Sequence, residues 1–422
     1  MIIHVVSKNE TVSSIARQYN TSANLIAMNN EINPNRLAVG QTLVILITNE
    51  VHIARRGETL YSIARDKGVS VYQLWRNNIW LNGRQHLLAG EHVVISYTNS
   101  PYHEISTLGY IYPFVDWRVF RQTLPYMNII MPFTYGFTEE GELIGLNDLP
   151  FISLANDYGA EAYMHLSTLN REDRFSTELA AWLLTHPEIQ EILIKNITET
   201  IIDRGYAGLD IDFEYIGGYA AEYVAFLERV KASLSPLGLG LIVAVSPKES
   251  ADKKGSLYEG HDYVAIGKIA DGVLVMTYEW GYAYSTPRAV APANWVRTIL
   301  DYAVSAIPND KIYLGLPNYG YGWPLPWVEG QTRARSISNA DAIQTAIRFG
   351  AEIFYDQTAE TPYFNYIENE TAHEVWFEDA RSMQAKFNII KEYGLKGGGY
   401  WNLMRSFPQN WLVQNALFAI NR

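Results

Sequence analysis

Hydrophobic residues from Leu108 onward occur in short runs, and stretches with helical spacing separate these runs. The intervening segments 187–204 and 220–235 carry apolar residues at the three- and four-residue spacing of amphipathic helices. The runs are apolar on both faces, which is typical of parallel strands in a sheet covered by helices. There are eight such runs: LGYIYPF, NIIMPFTYGF, EAYMHLST, YAGLDIDFEY, LIVAVSPK, DGVLVMTYEW, KIYLGLPNYGYGW and GGGYWNL.

Eight strand and helix units over about 315 residues suit an α/β fold of the (β/α)8 TIM-barrel type. An open, doubly wound sheet is the structural alternative. The stretch between the last two runs is too long for one crossover, and its segments IFYD, YFNYIE and EVWFED look like strands. We therefore predict a barrel domain over 105–422, with a small α+β insertion at about 324–378 and the last barrel helix at 379–393.

The first hundred residues contain an internal repeat. HVVSKNETVSSIARQYN from His4 aligns with HIARRGETLYSIARDKG from His52 at a constant offset of 48 residues. Each copy has an alternating strand, a polar turn, two helical segments and a closing strand, and Thr11 and Thr59 stand where a helix N-cap is expected. The repeat predicts two small βααβ domains, at 1–48 and 49–98.

Composition narrows the range of functions without selecting one. The net charge of -12 argues against a nucleic-acid binder, because neutralising phosphates requires a basic surface. The chain has no cysteine, so disulfides and thiolate metal sites are excluded. The apolar runs are much shorter than the roughly 20 residues of a membrane span. We expect no membrane partner, no metal, no cofactor and a monomeric protein.

The segment GLDIDFEY carries the most informative residues of the chain. A strand has a period of two residues, so Asp210, Asp212 and Glu214 point to one side and the apolar residues between them to the other. Three acids would then line the barrel lumen, where desolvation and mutual repulsion raise carboxyl pKa values. Such an arrangement costs stability and indicates catalysis. An acidic metal site and a hydrogen-bonded structural cluster are the alternatives.

This segment resembles the DGxDxDxE signature of family 18 of the glycoside hydrolases, the chitinase-like family. Further marks of the family follow in the same order, with Met276, Thr277 and Tyr278 at the end of the sixth run and Trp401 at the end of the eighth. Two positions depart from the pattern. Ala207 stands at the first Asp of the signature, and Glu279 stands where an Asp is usual.

The resemblance implies a retaining mechanism in which the 2-acetamido group of the substrate attacks its own anomeric carbon, giving an oxazolinium ion. Glu214 would be the general acid and then the base. Asp212 would orient the acetamido N–H, with Asp210 beneath it sharing a proton or hydrogen bond, and Tyr278 would hold the acetamido carbonyl.

The same resemblance implies a set of substrate contacts around the reacting sugar. Trp401 would form an apolar floor under the ring. The other side chains that would contribute to this binding site are Met276, Glu279, Asn318 and Tyr110.

The repeat at the start of the chain resembles the LysM domain, and the GETLYSIA and NN segments of the second copy carry that resemblance. It implies a shallow groove for N-acetylated glycans, so the partner would be chitin or peptidoglycan. The first copy departs at Asn9, where Gly is usual. In the second copy the implied groove residues are Gly57, Glu58, Thr59, Leu60, Asn77, Asn78 and Ile79. Stabilisation or oligomerisation of the chain is the alternative role for such repeats.

The order of LysM pair and family 18 barrel resembles enzymes that degrade the peptidoglycan of the bacterial spore cortex. Muramic lactam in cortex has its nitrogen tied into a ring, so the mechanism would select the bond after N-acetylglucosamine. No signal-peptide pattern opens the chain, and we expect a location in the coat or cortex region of the spore. A chitinase-like hydrolase and a non-catalytic glycan-binding lectin are the alternatives.

Overall fold

A computed structural model of the chain describes residues 1–98, 101 and 103–420. Its largest part is a closed barrel of eight parallel strands, in which each strand pairs with its neighbours in sequence order and the first pairs with the eighth. The strands are β1 (Ser106–Ile111), β2 (Ile129–Pro132), β3 (Glu161–Ser167), β4 (Gly208–Asp212), β5 (Gly240–Val245), β6 (Gly272–Val275), β7 (Ile312–Pro317) and β8 (Gly397–Trp401). The predicted barrel is confirmed, and the open sheet is wrong. The last two residues of the predicted domain, 421 and 422, lie outside the described residues.

Helices cover the outside of the barrel because the outward side chains of the strands are apolar. Leu209 and Ile211 of β4, for example, are fully buried in the layer between strands and helices. A second cluster fills the lumen and includes Leu108, Met131 and Tyr313. The helices of the barrel domain are Trp117–Thr123, Leu149–Asp157, Thr177–Thr185, Pro187–Arg204, Ala220–Leu234, Tyr263–Ile269, Ala293–Ala306, Ala380–Glu392 and Pro408–Leu417.

The insertion between β7 and β8 is an antiparallel sheet of five strands with one helix, Asn339–Phe349. The predicted α+β character is therefore confirmed. The run KIYLGLPNYGYGW, predicted as one strand, is divided into β7 and the first strand of this sheet, because the chain leaves the barrel at Asn318. The strands of the insertion are Gly320–Leu325, Arg335–Ile337, Phe354–Asp356, Thr361–Glu368 and Thr371–Trp376.

The two repeats have the same βααβ structure. In the first, strands Ile2–Val5 and Thr42–Ile45 pair antiparallel and enclose helices Val12–Gln18 and Ala23–Asn30. In each copy the predicted threonine caps the first helix, and a serine three residues later completes a capping box. The elements of the second copy are strands Thr48–Ile53 and His92–Tyr97, helices Leu60–Lys67 and Val71–Asn77, and the 3₁₀ turn Ile79–Leu81.

Both repeats pack directly on the barrel domain. In the first, the backbone N–H of Ile353 donates to the carbonyl of Val39 at 2.9 Å, and the Gln409 amide donates to the carbonyl of Thr42 at 2.6 Å. In the second, the ring of Trp75 lies 4.6 Å from that of Tyr158, centroid to centroid. The repeats are therefore held against the barrel by direct contacts in addition to the covalent chain.

Several short elements complete the fold. The described part of the chain has three further 3₁₀ turns, a hairpin after β2 and a pair of two-residue strands near the two ends of the barrel domain. These elements are Leu124–Tyr126, Ser235–Leu237, Asn309–Lys311, Gly136–Phe137, Leu143–Ile144, His103–Glu104 and Phe418–Ala419. Within the described part of the chain, no helix combines the length and the apolar character needed to cross a bilayer.

Candidate active site

The carboxyl end of β4 carries the acids that the alternating pattern singled out. Asp210 and Asp212 lie within the strand, and Glu214 follows two residues after its end. Between them, Phe213 packs on the helix side and is fully buried, so the alternation of the two sides continues past the strand. The strand itself ends three residues earlier than predicted. The chain turns at Tyr215, which has a φ of 55°.

The Asp210 carboxylate is held by two side chains from neighbouring strands. Its Oδ2 accepts a hydrogen bond from the Tyr110 hydroxyl at 3.1 Å and lies 2.6 Å from Nδ1 of His165. Asp210 and His165 are both completely buried. Sequence reasoning missed His165, although a signal was present. The alternation of the run EAYMHLST places Tyr163 and His165 on the same side, and Tyr163 packs against the lumen cluster.

Two oxygens of these acids have no hydrogen-bond partner within the described part of the chain, although both are buried. They are Oδ1 of Asp210 and Oδ1 of Asp212. The predicted hydrogen bond between the two carboxylates is thus not made in this structure, because Tyr110 and His165 occupy Oδ2 of Asp210 instead. A buried carboxylate oxygen without a donor is costly, so this part of the lumen is arranged for something other than stability.

The departure at Ala207 has little consequence for the lumen. Ala207 lies one residue before β4, and the strand alternation groups position 207 with Leu209 rather than with Asp210. An acidic residue there would not extend the row of lumen carboxylates.

Burial and like charge favour one bound proton on the outer pair of acids, Asp212 and Glu214. Burial chiefly raises the pKa of Asp212, the negative charge of Glu214 adds to this rise, the His165 imidazole opposes it, and together they bring the pKa to about 8. Burial also raises the pKa of Glu214, and the charge of Glu279 raises it further. A carboxylic acid that retains its proton near neutral pH is what general acid catalysis requires.

Tyr278 follows β6 and presents a phenol to these acids. Burial raises the pKa of Tyr278 well above its usual value, and the negative charges of Asp212 and Glu214 add to the effect. The hydroxyl therefore remains protonated, and it is available as a hydrogen-bond donor near the carboxylates.

Aromatic rings line the mouth of the lumen around Trp401 at the end of β8. The Trp401 ring lies 5.5 Å from that of Tyr110, 6.1 Å from Tyr112 and 5.0 Å from Phe133, centroid to centroid. Met276 also packs against this cluster. Flat apolar surface of this kind suits the hydrophobic face of a sugar ring.

Glu279 lies at the rim of the cleft and is engaged by two tyrosines of the insertion. The Tyr319 hydroxyl donates to its carboxylate, and Tyr321 donates at 3.2 Å. Desolvation of the carboxylate raises the pKa of Glu279, and these two hydrogen bonds oppose the rise. The insertion thereby takes part in the site.

The structure corrects the role expected for Asn318. Its side chain is buried, and its amide donates to the backbone carbonyls of Asn402 and Arg405 at 3.0 and 2.9 Å. The amide hydrogens are therefore used in holding the loop after β8. Asn318 supports the loop that follows Trp401 and does not present a free donor to the cleft.

Most of the groove residues expected in the second repeat are also placed differently. Leu60, Asn77, Asn78 and Ile79 are buried, with exposed fractions of 5% or less. Asn78 donates to the carbonyls of two core residues and accepts from the backbone N–H of Val94. These four side chains form the interior of the domain, so they cannot contact a glycan, and the expectation for them is wrong.

The remaining groove residues lie at the surface of the second repeat. Gly57 is exposed with a φ of 87°, and Thr59 is partly exposed while capping its helix. Glu58 accepts from the backbone N–H of Arg55 and contacts Nε2 of His52, both at 2.7 Å, so its carboxylate closes the turn.

The described residues contain no group of three or more His, Asp or Glu side chains arranged to hold a metal ion. Tyr110, His165 and Tyr278 surround the carboxylates with hydroxyl and imidazole groups rather than with further acids. The chemistry that this arrangement supports is proton transfer beside a bound amide or sugar.

Comparison with known proteins agrees with this geometry. The profile described as Glycosyl hydrolases family 18 matches residues 164–405, and the LysM domain profile matches residues 4–46 and 52–96. The chain belongs to family 18 of the glycosyl hydrolases and carries two LysM domains ahead of its barrel. It is a glycoside hydrolase.

Three of the proteins it resembles match it over nearly its whole length. The Cortical fragment-lytic enzyme of Bacillus subtilis (strain 168) is 39% identical over 429 residues, which cover 100% of this chain and 99% of the relative. The crystal structure of the Bacillus megaterium QM B1551 spore cortex-lytic enzyme SleL is 35% identical with a TM-score of 0.82, covering 99% of this chain and 98% of that one. The corresponding Bacillus cereus structure is 32% identical with a TM-score of 0.85, covering 100% and 98%.

Proposed function

We propose that this protein is an N-acetylglucosaminidase that hydrolyses peptidoglycan of the bacterial spore cortex or its fragments. The observation that carries the proposal is the row of Asp210, Asp212 and Glu214 at the barrel mouth, in a chain similar over its full length to a cortical fragment-lytic enzyme. The raised pKa of Glu214 suits a group that must deliver a proton to a leaving oxygen.

The reaction proceeds with retention through an oxazolinium ion formed by the substrate's own acetamido group. Glu214 protonates the glycosidic oxygen as the bond to the anomeric carbon breaks, and its carboxylate then takes a proton from the attacking water. Asp212 accepts a hydrogen bond from the acetamido N–H through its unpartnered Oδ1. Tyr278 donates its hydroxyl hydrogen to the acetamido carbonyl and aligns it for attack.

The aromatic rings position the sugar for this reaction. Trp401 forms the floor beneath the ring, with Met276 beside it, and Glu279 contacts the substrate from the rim of the cleft. Tyr110 contributes indirectly, because its hydroxyl donates a hydrogen bond to Asp210. A flat floor and a fixed donor and acceptor restrict the acetamido group to the conformation that attacks the anomeric carbon.

The two LysM domains anchor the enzyme to the glycan. Two weak contacts to one polymer raise the residence time, since the second becomes intramolecular after the first has formed. Gly57 and Thr59 contribute from the exposed turn of the second domain. We assign the domains to 1–48, 49–98 and 105–422, the protein to the coat or cortex region of the spore, and its solution state to a monomer.

The test is product analysis on purified cortical fragments. Mass spectrometry is expected to find new reducing ends on N-acetylglucosamine, and NMR of early products is expected to find the β-anomer. The Glu214→Gln variant should release no product and should still sediment with insoluble cortex. Reducing ends on muramic acid, or unchanged turnover by Glu214→Gln, would contradict the proposal. Faster turnover of chitin oligomers than of cortical fragments would favour a chitinase.

A further inference from the structure

One histidine in the barrel lumen has no role in the reaction described above. His165 lies on β3 directly opposite Asp210 on β4, in the register of the parallel pair. Both side chains are completely buried, and Nδ1 of His165 lies 2.6 Å from Oδ2 of Asp210. A contact this short between an imidazole and a carboxylate is a charge-assisted hydrogen bond.

Aromatic packing fixes the orientation of the His165 ring. The ring of Phe133 stacks on it at 4.7 Å with an interplanar angle of 22°, and the ring of Tyr110 meets it edge-on at 5.1 Å. The residues that the structure describes offer Nε2 no hydrogen bond. Because a carboxylate oxygen accepts hydrogen bonds, Nδ1 of His165 carries a hydrogen and donates it to Oδ2 of Asp210.

The two oxygens of Asp210 are consequently in different situations. Oδ2 accepts from both His165 and the Tyr110 hydroxyl, whereas Oδ1 has no donor among the described residues. Two donors on one oxygen fix the plane of the buried carboxylate.

Loss of the His165 donor would change what Asp210 does. A carboxylate oxygen held by one donor instead of two is free to turn. Asp212 stands two residues further along the same side of β4, and its Oδ1 has no donor among the described residues. An Asp210 side chain that turned toward Asp212 would interfere with the carboxylate that accepts the acetamido N–H of the substrate.

We propose that His165 is a positioning residue for glycoside hydrolysis. By donating Nδ1–H to Asp210, it fixes the carboxylate of Asp210 in place, and it thereby leaves the carboxylate of Asp212 free for the acetamido group. The inference rests on the proposed function for the part that concerns the substrate. The hydrogen bond itself is a property of the enzyme without substrate.

Two substitutions separate this role from packing. His165→Leu fills a similar volume without a donor, whereas His165→Asn places a side-chain N–H near the position of Nδ1. We expect His165→Leu to lower kcat by about 10- to 100-fold with KM changed less than about threefold, and His165→Asn to recover most of the loss. Equal kcat for the Leu variant and the wild type, measured on folded protein, would overturn the proposal. So would a loss in the Asn variant as large as in the Leu variant.

A double-mutant cycle tests whether His165 acts through Asp210. If it does, adding His165→Leu to Asp210→Ala should lower kcat by no more than about twofold beyond Asp210→Ala alone. Multiplication of the two separate losses would show that the residues act independently, and it would overturn the proposal.

An NMR measurement tests the hydrogen bond without any substrate. A strongly downfield imidazole N–H proton is expected in the wild type, absent in His165→Asn and moved upfield in Asp210→Ala. The matched control is His261, the buried histidine whose nitrogens contact backbone groups of Ser246 and Phe213, and His261→Asn should leave the signal in place. A spectrum without that signal, or one unchanged in Asp210→Ala, would overturn the inference about His165. Neither result would bear on which glycan the enzyme cleaves.

Discussion

Buried polar residues in the second LysM domain and in the barrel lumen differ in how many of their hydrogen-bonding groups have partners. In the LysM domain, Asn78 uses both its amide hydrogens and its carbonyl oxygen in hydrogen bonds to the backbone. In the lumen, Asp210 and Asp212 each keep one buried oxygen without a donor among the described residues. A fully bonded polar group serves the fold, and one with unused bonding capacity is available for a ligand.

This contrast explains why Asn78 was wrongly expected in a glycan groove. Asn30, at the equivalent position of the first copy, binds its own copy in the same way as Asn78 does. Asparagine therefore occurs at this position in both copies because it forms hydrogen bonds in the interior of the domain.

The largest effect is expected for Asp212→Asn. The amide has nearly the shape of the carboxylate, but it loses the negative charge that the proposed mechanism places beside the oxazolinium ion. We expect kcat on cortical fragments to fall about 10²- to 10³-fold, or roughly 3–4 kcal/mol, with little change in thermal stability. Steady-state kinetics measures it, with the exposed Asp203→Asn as the control. A loss below about threefold would place Asp212 with the structural residues.

The second prediction concerns Asn78, whose hydrogen-bonding groups all have partners. Asn78→Ala removes three hydrogen bonds from the interior of the second LysM domain and leaves backbone groups without partners, which should cost about 2–3 kcal/mol of stability. Chemical denaturation is expected to show this loss, and kcat of the folded enzyme should be unchanged. Asn35→Ala, at an exposed position, is the control. A fall in glycan binding without any loss of stability would restore Asn78 as a groove residue.

The third prediction uses the charge at the rim of the cleft. Glu279 raises the pKa of Glu214 by like charge, after the larger effect of burial. A group with a raised pKa is protonated below that pKa, so the acid form of the enzyme disappears as pH rises through it. In Glu279→Gln the pKa of Glu214 should fall, and the alkaline limb of kcat/KM should move to lower pH. An alkaline limb that stays in place or moves upward would contradict the assignment of Glu214 as the acid.

The smallest effect is expected at the first turn of the repeats. Asn9 and Gly57 occupy equivalent positions with φ of 68° and 87°, a region that asparagine tolerates better than other residues with a side chain. Asn9→Ala should destabilise the first domain by about 1 kcal/mol, and Asn9→Gly should change stability by less than about half of that. Denaturation curves of the two variants test this. Equal stabilities would mean that backbone conformation does not decide the residue here.

Much of the site could be predicted because strand alternation is a local property. The spacing of Asp210, Asp212 and Glu214 placed them on one side of β4, and apolar neighbours such as Phe213 took the other. The repeat offset likewise indicated the cap residues Thr11 and Thr59. Contacts between neighbouring strands could not be predicted in this way. That His165 would lie opposite Asp210 depends on the register of β3 against β4, which the sequence of neither strand reveals.

The amino-acid sequence alone determined the number and order of the barrel strands, the repeat and the acidic side of β4, because these follow from periodicity within one segment. Which buried polar atoms have hydrogen-bond partners followed from the packing of separate segments. Asn318 and Asn78 bind backbone groups of other segments of the chain, whereas Oδ1 of Asp212 has no partner among the described residues, and hydrogen bonds of that kind form only when separate segments pack together.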